Sequence, residues 1–185
     1  TTCGYTEVDN NNFKRIMRKE HKYPNGHADC VCRDLRKFSL GYRFNTNVIQ
    51  IRFKKSLLSA DNWDYAYTVL QAILRGFCSY FSIDERDVSG CLHYFTDDIT
   101  RRGAYGIILY DNTPGGSGYV KMINNSEALK NVLQRAYEIM ASCNCGGESG
   151  DASCYSCLRN YYNQQHHDEM KRKYFLEFFE DIGIV

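Results

Sequence analysis

Proline is scarce: Pro24 and Pro114 are the only two in 185 residues, so no long disordered linker is expected. No apolar run approaches the length of a membrane span, and no signal-peptide pattern opens the chain, which argues against a spanning or exported protein. Charge of one sign is also lacking. The formal net charge is +1, so no global field draws the chain to nucleic acid or to a membrane, and any such binding needs a local patch. The chain opens on Thr1 and not on methionine, as expected of an excised or processed piece of something longer.

Large rings and sulfur are plentiful. The chain is 43% hydrophobic and 14% aromatic, with fifteen tyrosines and ten phenylalanines, enough for one domain with a ring-rich core. Nine cysteines without a signal peptide imply reduced thiols in the cytoplasm, with metal on some of them.

Four of those cysteines fall in two close pairs, Cys143/Cys145 and Cys154/Cys157, separated by the small and polar stretch Gly-Gly-Glu-Ser-Gly-Asp-Ala-Ser. Four soft thiolates make a closed tetrahedral site for Zn²⁺. Two disulfides or a redox dithiol are the rival reading, one that suits small secreted domains. Catalytic zinc fits poorly, because four thiolates leave no open position for water. Near the start, Cys3, His27, Cys30 and Cys32 form a second possible ligand set, with unliganded thiols as the alternative. The residues between them carry Lys14, Arg15, Arg18 and Lys19, a basic run that could touch phosphate or simply face solvent.

From residue 38 onward the pattern is that of an α+β domain, with residues 1–37 a polar N-terminal segment. Phe38–Phe44 and Ile49–Lys54 alternate like half-buried strands. Asp61 is placed to cap a helix whose apolar face is Trp63, Ala66, Leu70, Ile73, Leu74, Phe77 and Phe81. Asp87–Phe95 reads as a third strand. Tyr105–Tyr110 is continuously apolar, as in a central strand buried on both faces. Ser126 is placed to cap a second helix whose apolar stripe is Ala128, Leu129, Val132, Leu133, Ala136, Ile139 and Met140. A final helical region runs toward Ile182. Cys78 and Cys91 read as small buried hydrophobes, and His93 as a packed or hydrogen-bonded side chain. The expected fold is a small mixed or antiparallel sheet on a long helix, with a helical C-terminal end bearing the four cysteines.

After the central strand comes Asp111-Asn112-Thr113-Pro114-Gly115-Gly116-Ser117-Gly118. Its glycines allow positive φ and could aim N–H groups at an anion; the plainer alternative is a tight turn that Asp111 braces with side-chain hydrogen bonds. The Gly-Lys-Ser/Thr ending of a phosphate-binding loop is missing.

Strand, Asp-x-x-Pro-Gly-Gly-Ser-Gly loop, amphipathic helix, Cys-x-Cys and Cys-x-x-Cys-Leu together resemble the MZB domain, the zinc-binding domain named from MrfA-type repair helicases. It occurs in bacterial superfamily 2 helicases, with related versions in the DISARM and Druantia phage-defence systems. The specific part spans Tyr105 to about Phe179. The resemblance implies Cys143, Cys145, Cys154 and Cys157 as zinc ligands. It also implies Asp111, Pro114, Gly115, Gly116 and Gly118 as a signature loop, and Asn163, His167 and Arg172 as part of the polar motif that follows the cluster in sequence. The spacer between the pairs is longer here than in the compact helicase versions.

The resemblance thus implies a non-catalytic zinc module. It would support folding, DNA engagement or subunit contact for a helicase motor in the same chain or complex, in DNA repair or phage defence. Helicase motifs are absent, so any ATPase lies elsewhere. DNA binding is expected to be weak and non-specific, through Lys14, Arg15, Arg18 and Lys19 or through Lys171, Arg172 and Lys173, with no membrane partner. The competing readings are a metal-dependent nuclease using Asp97, Asp98 or Asp111 and a pure protein-interaction scaffold. Against the nuclease, Glu20-His21-Lys22 reads as loop and Glu169-Met170-Lys171 as helix, so no Glu-x-Lys lies on a readable strand.

Overall fold

Strand alternation and one long amphipathic helix set the architecture. The structure, a computed structural model, describes residues 41, 43–53, 57–98 and 101–183. The N-terminal candidates Cys3, His27, Cys30, Cys32, Lys14, Arg15, Arg18 and Lys19 lie outside the described residues, as does most of the strand expected at Phe38–Phe44.

From Phe44 onward the chain forms one unit. Three strands, β1 (Val48–Ile51), β2 (Val88–Thr96) and β3 (Gly103–Asp111), make an antiparallel sheet in the order β1-β3-β2. Ile51 and Leu92 flank Ile107, and Ile49 and Gly90 flank Leu109. These residues share one face, since side chains alternate along a strand. That face meets α1 (Trp63–Phe81), in which Ala66, Val69, Leu70, Ile73 and Phe77 are buried. β3 is central, as its apolar run implies, yet Ile108 and Tyr110 are only half-buried. Among the described residues the helices cover one face alone, and the other keeps partial access to solvent.

Cys91 and His93 alternate onto that more open face and are exposed, so Cys91 is not the buried hydrophobe expected and His93, expected packed or hydrogen-bonded, is not packed. Cys78 is buried near the end of α1, and desolvation pushes its thiol up to about 12, which leaves it inert. The caps also sit one residue off the expected places. Asn62, not Asp61, accepts from Tyr65 N at 3.2 Å. Asn125, not Ser126, accepts from Ala128 N at 2.8 Å. In both cases a neighbouring asparagine takes the flanking position whose side chain reaches back to the third residue of the helix.

α2 (Ser126–Ala141) buries Val132, Leu133, Ala136 and Met140. Its approach to α1 depends on Gly76, where a Cβ would come within 2.5 Å of Val132 O and 2.7 Å of Ala136 Cβ. α3 (Arg172–Ile182) closes the core with Phe175, Phe178 and Phe179. Phe178 meets Phe53 edge-on at 4.8 Å, and Phe179 stacks on Tyr137 at 4.5 Å. Among the described residues, no helix is long and apolar enough to cross a membrane.

Candidate metal centre

α2 ends at Ala141, and Ser142 delivers the chain directly to Cys143. Cys143 and Cys145 sit on the turn beyond it. Cys154 and Cys157 sit on a second turn, where the N–H groups of Cys157, Leu158 and Arg159 all reach Cys154 O at 2.9–3.1 Å. Cys154 N in turn donates to Cys157 Sγ at 3.3 Å, the kind of bond that favours a thiolate.

The four Sγ atoms lie within 4.8 Å of one another. Cys143–Cys154 is 3.5 Å, Cys145–Cys157 3.6 Å and Cys154–Cys157 3.7 Å. Four sulfurs at about 2.3 Å from one tetrahedral Zn²⁺ stand about 3.8 Å apart. Donor type, number and spacing therefore fit zinc. Among the described residues this is the one cluster of ligating side chains with such convergence.

The thiols differ in acidity. Burial raises Cys154, but hydrogen bonds from Cys143 and from Ser156 N outweigh it and bring the thiol down to about 6. Burial pushes Cys157 and Cys145 up. Zinc therefore displaces protons from at least those two thiols at neutral pH, so its affinity falls as pH falls.

Behind the cluster lies a buried polar network. Asn163 donates to Gln71 Oε1 on α1 at 3.0 Å and to Leu158 O at 2.9 Å. Its Oδ1 accepts from Asn160 N at 2.9 Å and lies 3.0 Å from His167 Nε2. That ring nitrogen also faces Asn160 O at 3.1 Å. Two acceptors require the proton on Nε2. Asn163 and His167 thus hold the second turn against α1 and are not metal ligands.

Arg172 corrects the expected nucleic-acid patch. It is only 7% exposed. Its guanidinium donates to Met140 O and Cys145 O at 3.3 Å and to Gly147 O at 2.9 Å. An arginine committed to main-chain carbonyls is not offered to phosphate. Lys171 and Lys173 both pair with Asp151, at 3.0 and 2.9 Å, and hold its carboxyl below the usual range. The first N–H groups of α3 are also used locally, Arg172 N on Ala152 O and Lys173 N on Gly150 O. Sequence reasoning missed this docking of the spacer on α3. The one available signal was the small, polar spacer itself, which can follow a helix end closely.

The glycine loop serves its own geometry. Asp111 is fully buried and accepts from Gly118 N at 2.6 Å, Val120 N at 3.0 Å and Asn47 Nδ2 at 3.3 Å. Gly115, Gly116 and Gly118 all have positive φ, and a Cβ on Gly116 would lie 2.0 Å from Asn47 Nδ2. Pro114, immediately before them, is exposed on the turn. The loop is thus clasped to the start of β1. Asp97 and Asp98 come just after Thr96, which pairs with Gly103 at the other end of β3. Eight residues of strand separate that end from Asp111, roughly 27 Å at the usual rise. Asp111 therefore cannot share a metal with Asp97 or Asp98, and among the described residues neither end gathers three or more ligating side chains, so nothing here supports the nuclease reading.

Comparison with known proteins gives two findings. Residues 69–158 match the family model of the MZB domain, the MrfA Zn-binding domain. A crystal structure of the helicase MrfA bound to DNA is similar over 66% of this chain at 18% identity, with a TM-score of 0.44; the similar part is 15% of that chain. No curated protein matches.

Proposed function

We infer, on the premise that residues 69–158 are an MZB domain, that the chain is a zinc-stapled, non-catalytic module of a DNA helicase or of a protein that works with one. The observation that supports it is the convergence of four Sγ atoms within 4.8 Å on two adjacent turns. Four thiolates fill a tetrahedral zinc, so the metal has no position left to activate water and acts as a cross-link. The motor belongs to the same chain or to a partner. The protein works in the cytoplasm, where such thiols stay reduced.

Metal analysis with thiol titration tests this reading. One zinc per chain is expected, with four thiols protected until a chelator removes it. Metal-free protein of native stability would reject it. The chain alone should hydrolyse neither ATP nor DNA.

DNA engagement by this module is weak and non-specific in the same reading. Arg172 is withdrawn, and Lys171 and Lys173 must leave Asp151 to meet phosphate, so the remaining candidates are Lys14, Arg15, Arg18 and Lys19. Affinity for single strands should fall with salt at a slope of about −0.7 per contact. Contact with the motor is a second reading, favoured by Tyr155, Tyr161 and Tyr162, exposed at 64%, 78% and 61% beside the metal site. Absence of DNA binding even at low salt would favour it.

A further inference from the structure

Three main-chain carbonyls from different parts of the metal centre converge on one buried guanidinium. Met140 O is in the last turn of α2, Cys145 O belongs to a ligand residue, and Gly147 O is on the second residue of the spacer. Arginine's planar fork of donors suits such a convergence, where a lysine could satisfy fewer partners. Each carbonyl is thereby fixed relative to the others, and with them the turn that aims Cys143 and Cys145.

The charge is as informative as the geometry. Arg172 is 7% exposed, and among the described residues no carboxylate forms a salt bridge with it. A buried cation without a counter-charge is costly. Zn²⁺ with four thiolates carries a net double negative charge, next to the main chain that Arg172 binds. The cation and the cluster offset each other, and neither Lys171 nor Lys173, both at the surface and paired with Asp151, can substitute.

We propose that Arg172 is the positioning and charge-balancing residue of the zinc centre, and that it sets how tightly the four cysteines hold the metal. This rests on the zinc reading above. Partners behind the ligands of a metal site typically change its affinity by about 10–100-fold when replaced.

The test compares Arg172→Met, which removes fork and charge, with Arg172→Lys, which keeps the charge. Glu180→Gln, an exposed site on the same helix, is the control. Zinc affinity is read by competition with a chromophoric chelator. Cobalt(II) substitution reads the ligand field through its visible bands. Expected is a loss of about 10–100-fold for Arg172→Met, a smaller loss for Arg172→Lys, a shifted cobalt spectrum in both, and no change for Glu180→Gln. If Arg172→Met does not fold, Arg172→Lys decides by the same two readouts. Wild-type zinc affinity and cobalt spectrum in the Arg172 variants, even with lowered stability, would reduce Arg172 to general packing and overturn the proposal. A wild-type chain that binds no zinc would overturn the zinc reading and this proposal together.

Discussion

The sheet-and-helix body and the metal end are held by different physics. In α1, nine of nineteen residues are buried, nearly all apolar. Between Cys143 and Ser153 only Gly150 and Ser153 are buried. The body is stabilised by area removed from water. The metal end has too little apolar surface for that and relies on thiolate–zinc bonds, main-chain hydrogen bonds and Arg172. A short polar segment can therefore be as ordered as a core, provided its few contacts are strong and directional.

Removing a ligand breaks this comparison most sharply. Cys154→Ser or Cys157→Ser should abolish metal binding, at a cost on the order of 10 kcal/mol of metal-linked stability. Hydrogen exchange should show amides of residues 143–171 losing protection while those of α1 and β3 keep theirs. Equal loss in both regions would mean that the two are one cooperative unit and that the contrast between them is false.

A cut on the other side should act in the opposite sense. Phe77 is fully buried, and Phe77→Ala should lower stability by about 3–5 kcal/mol in denaturant unfolding. The folded fraction should still carry a full complement of zinc. Partial metal occupancy in the folded fraction would show that the helices hold the ligands more than the local turns do.

Asp111 gives an intermediate case, a polar device inside the body. Asp111→Ala leaves the buried N–H of Val120 without its acceptor and should cost about 1–3 kcal/mol by the same unfolding measurement. No change would mean that water or a neighbouring carbonyl replaces the carboxylate.

The smallest expected effect concerns the entry to α2, the helix that joins the two regions. Asn125→Ala should cost about 1 kcal/mol, whereas Ser126→Ala should stay within about 0.5 kcal/mol. The reverse order in thermal melts would return the cap to Ser126.

Much of this was legible in the chain itself. The four cysteines can be read from their two close pairs, the α1 stripe from Trp63 to Phe81 from helical spacing, and β3 from its unbroken apolar run, although that run overstated the burial of Ile108 and Tyr110. Asp111 was singled out with a turn-bracing role that the structure supports. The misreadings share a cause. Cys91 and His93 stand on a sheet face whose covering no local pattern reveals. By charge pattern Arg172 looks like surface charge between two lysines; the resemblance set it apart in the polar motif, and the fold shows its guanidinium turned onto main-chain carbonyls while the lysines pair with Asp151. A helical triplet of basic residues carries no mark of which member is buried until the neighbouring loop is placed.

The strand order β1-β3-β2 has a consequence for how the protein is made. Among the described strands the last synthesised is the middle one, so β1 meets the partner the sheet gives it only after β3 has left the ribosome. β2 and β3 are adjacent in sequence and can pair at once, while β1 must wait across the whole of α1 to close a loop of more than fifty residues, a slow step in any chain. Pulse-labelled exchange should find β2–β3 amides protected before those of β1. Until then β1 waits without β3 on the nascent chain, and the interval before that closure is when the sheet is most open to misassociation.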